Sequence, residues 1–479
     1  MRVGNNQAEN KSGDNKAEMT ECSTNKDDNK MAVMPVGKLL MSMAAPMMLS
    51  FFIQALYNIV DSIFVAQISE DALTAVSLAY PMQNVMTAIG VGLGVGISAL
   101  IPRALARKNL EEAKTYVNTG IFLNLCFFIL FVILGIFLVE PFYRIQTDIQ
   151  EINQSGSIYL RICWCVSIGS FFGQYFEKML LSTGNALQAM LSQTGGAVFN
   201  LVFDPLLIFG IGPFPEMGVA GAAAATVLGQ IFAAVIALIF NLRQNKWVSF
   251  DIRKVFRPDK RAVVQIYEIG VPSMITIGLS SAMSFCVNQV LLIYSTTATA
   301  VYGIWIKLQN FYFMPAFGMN NALIPILSYN YSRGLVDRIK NTISYAVRFI
   351  VVLMLCLTVV FELIPDQLLY LFNASDIMLS IGETALRVCV LSLVFGGVNV
   401  ILSTTMQAMD HSLYTLIINI LRQFVLIAGL FYILSVVFRR LDLVWIAIPL
   451  GESITMLVTI VLYKKMMKKI NVLHESKAE

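Results

Sequence analysis

Charge is scarce in this chain. Only 13% of its 479 residues are Asp, Glu, Lys or Arg, against 57% that are hydrophobic. That balance excludes an ordinary soluble domain, whose core could not hide so much apolar surface. Histidine is nearly missing: His411 and His474 are the only two, and neither sits beside a plausible set of catalytic or metal partners, so an embedded enzyme lacks its usual centre. The glycines at 90, 92, 94 and 96 have no flanking strand and no Lys-Ser or Lys-Thr, which removes a nucleotide loop and favours close packing or a pliable helix. Cys126, Cys163, Cys165, Cys286, Cys356 and Cys389 lie in apolar segments as small hydrophobes, not as a disulfide framework. A net charge of +4 is too small to suggest a nucleic-acid partner.

Long apolar runs fill the rest. About twelve segments, from 39–66 to 442–465, are each long enough to cross a hydrocarbon core of ~30 Å. Residues 1–35 have almost nothing to bury and read as a disordered tail with no cleavable signal. Basic residues collect after even-numbered segments, as with Arg103, Arg107, Lys108 and Lys114, then Arg243 to Arg261, then Arg333, Arg338 and Lys340; the alternate connections are short or acidic. By the positive-inside rule both termini are expected on the cytoplasmic side of the cell's inner membrane, with Arg439 and Arg440 as the main exception.

The chain also repeats. Pro46 matches Pro272, and the loop 106–114 matches 332–340, both about 226 positions apart. Equal offsets at opposite ends of a hairpin argue for duplication. The expected division is a tail at 1–35, a six-helix lobe at 36–243, a linker at 244–262, a second six-helix lobe at 263–470 and a tail at 471–479. Parallel repeats of this kind can rock about a central cavity.

Asp61 stands near the end of the first apolar segment. An acid there costs about 2.5–3.5 kcal/mol on insertion scales and so marks a functional site. Tyr57, Asn58 and Asp61 share a helix face by their spacing.

The runs Leu56–Ala66, Leu73–Val76, Asn200–Gly210 and Gly218–Thr226 resemble the multidrug and toxic compound extrusion (MATE) transporters, in particular a DinF-like bacterial branch. The resemblance covers nearly everything after the tail. It implies an all-α polytopic membrane fold, with twelve transmembrane helices in two six-helix lobes related by a pseudo-two-fold axis. It also implies a cation site in the first lobe at Tyr57, Asp61, Asn200, Asp204 and Thr226, and export of cationic or amphipathic drugs against Na⁺ or H⁺. Depth agrees with that grouping: Asp61, Asp204 and Thr226 fall about 8, 10 and 13 Å below one surface. Two carboxylates, an amide carbonyl, a hydroxyl and a phenol form an oxygen-only set that suits a hard cation such as Na⁺. Two acids brought together away from water also suit a proton. A purely packing role is the alternative for the acid pair, and an interfacial anchor for Tyr57.

The second lobe shows no obvious equivalent of Asp61 plus Asp204, which favours coupling in the first. Its least expected charge is Lys307, near the middle of its span, read either as a buried lysine that binds a substrate anion or joins the coupling cycle, or as a snorkelling or locally paired one. Arg422 reads as an interfacial or packing residue. The function expected is secondary active efflux by a monomer in the lipid bilayer, with no enzyme activity and no cofactor beyond the coupling ion. A flippase for a lipid-linked saccharide or another anionic lipid is the alternative.

Overall fold

The computed structural model describes residues 30–245, 250–370, 372 and 375–478, and among these the chain is helical with no strand. The first lobe runs through α1 (Val36–Ala66), α2 (Glu70–Ala106), α3 (Leu110–Phe137), α4 in two segments (Gln150–Cys165 and Ile168–Ser182), α5 (Ala186–Ile208) and α6 (Val219–Gln244). The second runs through α7 (Lys260–Leu292), α8 (Thr296–Ser332), α9 (Val336–Leu363), α10 in two segments (Asp376–Val390 and Ser392–Ala408), α11 (Ser412–Phe438) and α12 (Ala447–Ala478). Most pass a test of length and apolar character for crossing a membrane, α4 and α10 as bent pairs. The exceptions are α5 and α8, whose polar residues are spread along the helix, Gln188, Gln193, Asn200 and Asp204 in one and Lys307, Gln309, Asn320 and Asn330 in the other. The chain is a multi-pass membrane protein.

Local geometry repeats between the lobes. Ser69 and Ser295 cap α2 and α8 alike, each Oγ accepting the amide three residues on at 3.0 Å, which satisfies one of the free donors of a helix start. Lys108 and Gly334 have positive φ at one matching turn, Gly184 and Asp410 at another. The bends agree as well, 45° in α4 and 42° in α10.

Small residues set how the lobes meet. A Cβ on Gly92 of α2 would stand 2.8 Å from the Gly270 carbonyl of α7 and 2.3 Å from Met274 Cγ; on Gly318 of α8, it would stand 2.6 Å from both the backbone nitrogen and Cγ of Met48 on α1. These are the same contact in the two repeats. Gly96 likewise admits the Ile266 carbonyl, whereas Gly90 and Gly94 face Gln174 and Lys178 of α4. The glycine run is thus a packing device with two working faces.

The lobes join at the end that carries both termini. There Arg103 of α2 bonds Asp410 and the Ala408 carbonyl, and Tyr116 of α3 donates to Gln265 of α7 at 2.7 Å. Leu39, Ile97 and Leu180 of the first lobe share one apolar core with Ile266, Leu323 and Leu402 of the second. Towards the far end the first lobe keeps a core of its own, including Val65, Phe131, Trp164 and Val219. These polar contacts join the lobes at the terminal end. Gly92→Val should wedge this joint open: disulfide formation between cysteines placed at 116 and 265 is expected to fall severalfold, and an unchanged yield would show that the glycine contact does not hold the lobes together.

Three boundaries differ from the sequence reading. Most of the expected tail, residues 1–29, lies outside the described residues, but Lys30–Val33 forms a helical turn, with Met31 buried and Arg338 donating to the Met31 and Met34 carbonyls. The linker carries a turn of helix at Ile252–Val255. At the other terminus α12 continues as helix to Ala478 rather than ending in a tail at 471.

Candidate functional site

Three helices of the first lobe build a polar centre. On α5, Asn200 and Asp204 are one turn apart, and Asn200 Nδ2 donates to Asp204 Oδ1 at 3.2 Å and to Thr226 Oγ1 of α6 at 3.4 Å. Close approach of α5 to α6 makes this possible: a Cβ on Gly196 would lie 2.8 Å from the Gly229 carbonyl, and one on Gly229 would lie 2.9 Å from the Gly196 carbonyl. From α1, Asp61 lies beside Asp204, and Tyr57, one turn earlier, lies close to both acids. The structure therefore brings Tyr57, Asp61, Asn200, Asp204 and Thr226 together.

The oxygens at its centre are notable for what they lack. Asp61 Oδ1, Asn200 Oδ1 and Asp204 Oδ2 are all buried with no hydrogen-bond partner among the described residues. A buried acceptor left unpaired is expensive, and converging acceptors with no donor are a fit for a bound cation. Asp204 is fully buried, and Pro205 supplies no backbone donor beside it. Two carboxylates, one amide oxygen and the Thr226 hydroxyl would hold Na⁺, and a proton shared by the acids would relieve the same repulsion.

The other two candidates stand apart. Asn58 is exposed, and its carbonyl merely accepts the Ser62 hydroxyl at 2.9 Å. Lys307 is not buried: it is exposed, with Nζ 5.8 Å from the centre of the Phe372 ring. A cation over an aromatic face needs no acid partner, which explains how it is tolerated without one.

Several neighbours escaped the sequence reading. Tyr159 and Cys163 of α4 lie near Asp61, and Gln83 of α2 donates to Cys163 Sγ at 3.6 Å. The second lobe holds a buried acid, Glu452, which is partnered by a base rather than by a second acid. It occupies the repeat position of Thr226, 226 residues on. Arg422 is its counterion at 3.4 Å, and Asn399 Nδ2 donates to Glu452 Oε2 at 2.9 Å. A buried acid and base on neighbouring spans were readable as a pair only once their helices were known to touch.

Comparison with known proteins settles the lineage. The family model described as MatE matches residues 46–206 and 272–433, one block in each lobe. The chain belongs to the MatE family. As a MATE family transporter it is similar to the FAD transporter of Shewanella oneidensis, 24% identical over 83% of this chain and 88% of that one. It is also similar to the multidrug export protein MepA of Staphylococcus saprophyticus, 25% identical over 88% and 91%. Among solved structures, an outward-facing multidrug resistance MATE family transporter of the MOP superfamily superposes with a TM-score of 0.87 at 24% identity, over 93% of this chain and 99% of that one. A Vibrio cholerae MATE transporter superposes at 0.83 and 21% identity, over 91% and 97%. These likenesses carry the MATE fold, twelve helices in two six-helix lobes.

Proposed function

We propose that this MATE transporter exports cationic or amphipathic small molecules, driven by Na⁺ or H⁺ entering at Asp61, Asn200, Asp204, Thr226 and Tyr57. The observation that carries the reading is the set of three buried, unpartnered oxygens on α1 and α5. The similarity to MepA, named a multidrug export protein, supports the substrate class. No catalytic role is assigned to any residue, and no cofactor is invoked.

Coupling follows from differential affinity. If the ion favours one arrangement of the lobes and the drug the other, each flux drives the opposite change of state. In this reading the joined terminal end faces the cytoplasm, as the positive-inside rule supports, and release of the joint would admit substrate from inside. A single chain has both lobes and acts as a monomer.

The test is efflux of a fluorescent cationic dye from proteoliposomes with Na⁺ and pH gradients imposed independently. One gradient is expected to drive uphill transport and the other to have little effect. Dye that moves only downhill under both would sink antiport. Lipid scrambling followed in the same vesicles reads out the flippase alternative, and is expected to stay at the protein-free rate.

A further inference from the structure

Besides Asp204, four charged side chains are buried among the described residues: Arg103, Glu177, Lys178 and Glu452. Arg103 belongs to the terminal joint, and Glu452 is neutralised inside its own lobe by Arg422. Glu177 and Lys178 do something else. They are consecutive on the second segment of α4, so their side chains leave the helix about 100° apart. Glu177 accepts a hydrogen bond from Gln193 of α5. Lys178 crosses the lobe boundary, its Nζ donating to Asn321 Oδ1 of α8 at 2.5 Å.

This crossing is built into the packing. The Lys178 stem lies over Gly94 of α2, where a Cβ would come 2.7 Å from Lys178 Cγ. Its charge is offset by Glu177 at 3.6 Å, both side chains being under 10% exposed. Gln193, which holds Glu177, lies on the same stripe of α5 as Asn200 and Asp204, seven and eleven positions before them, or about 10 and 16 Å along the helix. One proline-free length of α5 therefore has cation ligands at one end and the anchor of the lysine's counterion at the other.

We propose that Lys178 is a positioning residue that reports occupation of the Asp61–Asp204 site to the lobe boundary. An ion drawn between α1 and α5 shifts α5; Gln193 moves Glu177 with it, and the altered counterion position decides whether Lys178 stays seated on Asn321. The element biased in two directions is the lobe joint, and α5 is the physical link. This inference rests on the cation-site reading.

The test uses the full-length protein in proteoliposomes, with spin labels on cysteines at 116 and 265. Their distance is recorded with and without Na⁺ and at acidic and alkaline pH, beside direct measurement of Na⁺ and proton binding. In Lys178→Gln and Asn321→Leu, binding is expected to stay within about threefold of the parent while the ion-dependent distance change disappears, and maximal efflux should fall about tenfold with little change in substrate KM. The second variant leaves α4 untouched, so agreement between the two excludes a local packing defect. An ion response that survives both substitutions but is lost in Asp204→Asn overturns the role of Lys178 alone. A response that also survives Asp204→Asn overturns the cation site itself.

Discussion

Asp204→Asn is expected to reduce gradient-driven efflux by at least about a hundredfold while leaving the protein folded. The substituted amide keeps an oxygen to accept the Asn200 hydrogen bond, now at 3.2 Å, so the α5 to α6 contact survives. What disappears is a full negative charge. At 4 Å and an effective dielectric near 20, one charge is worth about 4 kcal/mol to a bound cation, or roughly two to three orders of magnitude in affinity. If the ion is a proton, the amide cannot take it up at all. Asp61→Asn should behave alike, because its Oδ1 is one of the three unpartnered oxygens. Thr226→Ala, which removes a neutral donor atom, should cost far less. Efflux under the driving gradient, with protein recovery and circular dichroism as folding controls, checks all three. Undiminished uphill transport in both Asn variants would end the assignment.

The second large effect belongs to the other lobe and to stability. Glu452→Ala would leave Arg422 without its counterion, and breaking a buried pair from one side costs about 3–5 kcal/mol. The Arg422 side chain is 20% exposed, so partial rehydration places the expected loss at the lower end. Replacing both residues together, as Glu452→Leu with Arg422→Met, removes the stranded charge, and most of the lost stability should return. Thermal unfolding in detergent of the two single variants and the double variant forms the cycle. A single variant as stable as the parent would show that the pair contributes nothing.

How far the sequence could be read depended on what kind of contact was involved. Asp61 stood out because an acid in an apolar span is costly; its grouping with Asn200, Asp204 and Thr226 came from the family resemblance, with which depths counted along the helices agreed. The repeat was legible from equal spacing, and the matched caps at Ser69 and Ser295 extend it to atomic detail. Lateral packing was not legible. Periodicity places a residue on a helix face but does not say which helix that face meets. Glu177 and Lys178 thus passed unnoticed inside an apolar segment, and Glu452 and Arg422 could not be paired across two spans. Lys307 failed for a related reason: an aromatic partner, Phe372, lay 65 positions away in a connection.

The polar character of α5 bears on how the protein is made. Its helix is not apolar enough to count among the spans that pass alone, since the stripe of Gln193, Asn200 and Asp204 that serves the site would face hydrocarbon. α6, directly after it, is strongly apolar, and the two backbones touch at Gly196 and Gly229. Zipped to α6, α5 turns part of its polar stripe toward Thr226 before lipid is met. The hairpin is therefore expected to enter the bilayer as one unit, which would tie assembly of the proposed ion site to the synthesis of the helix that follows it.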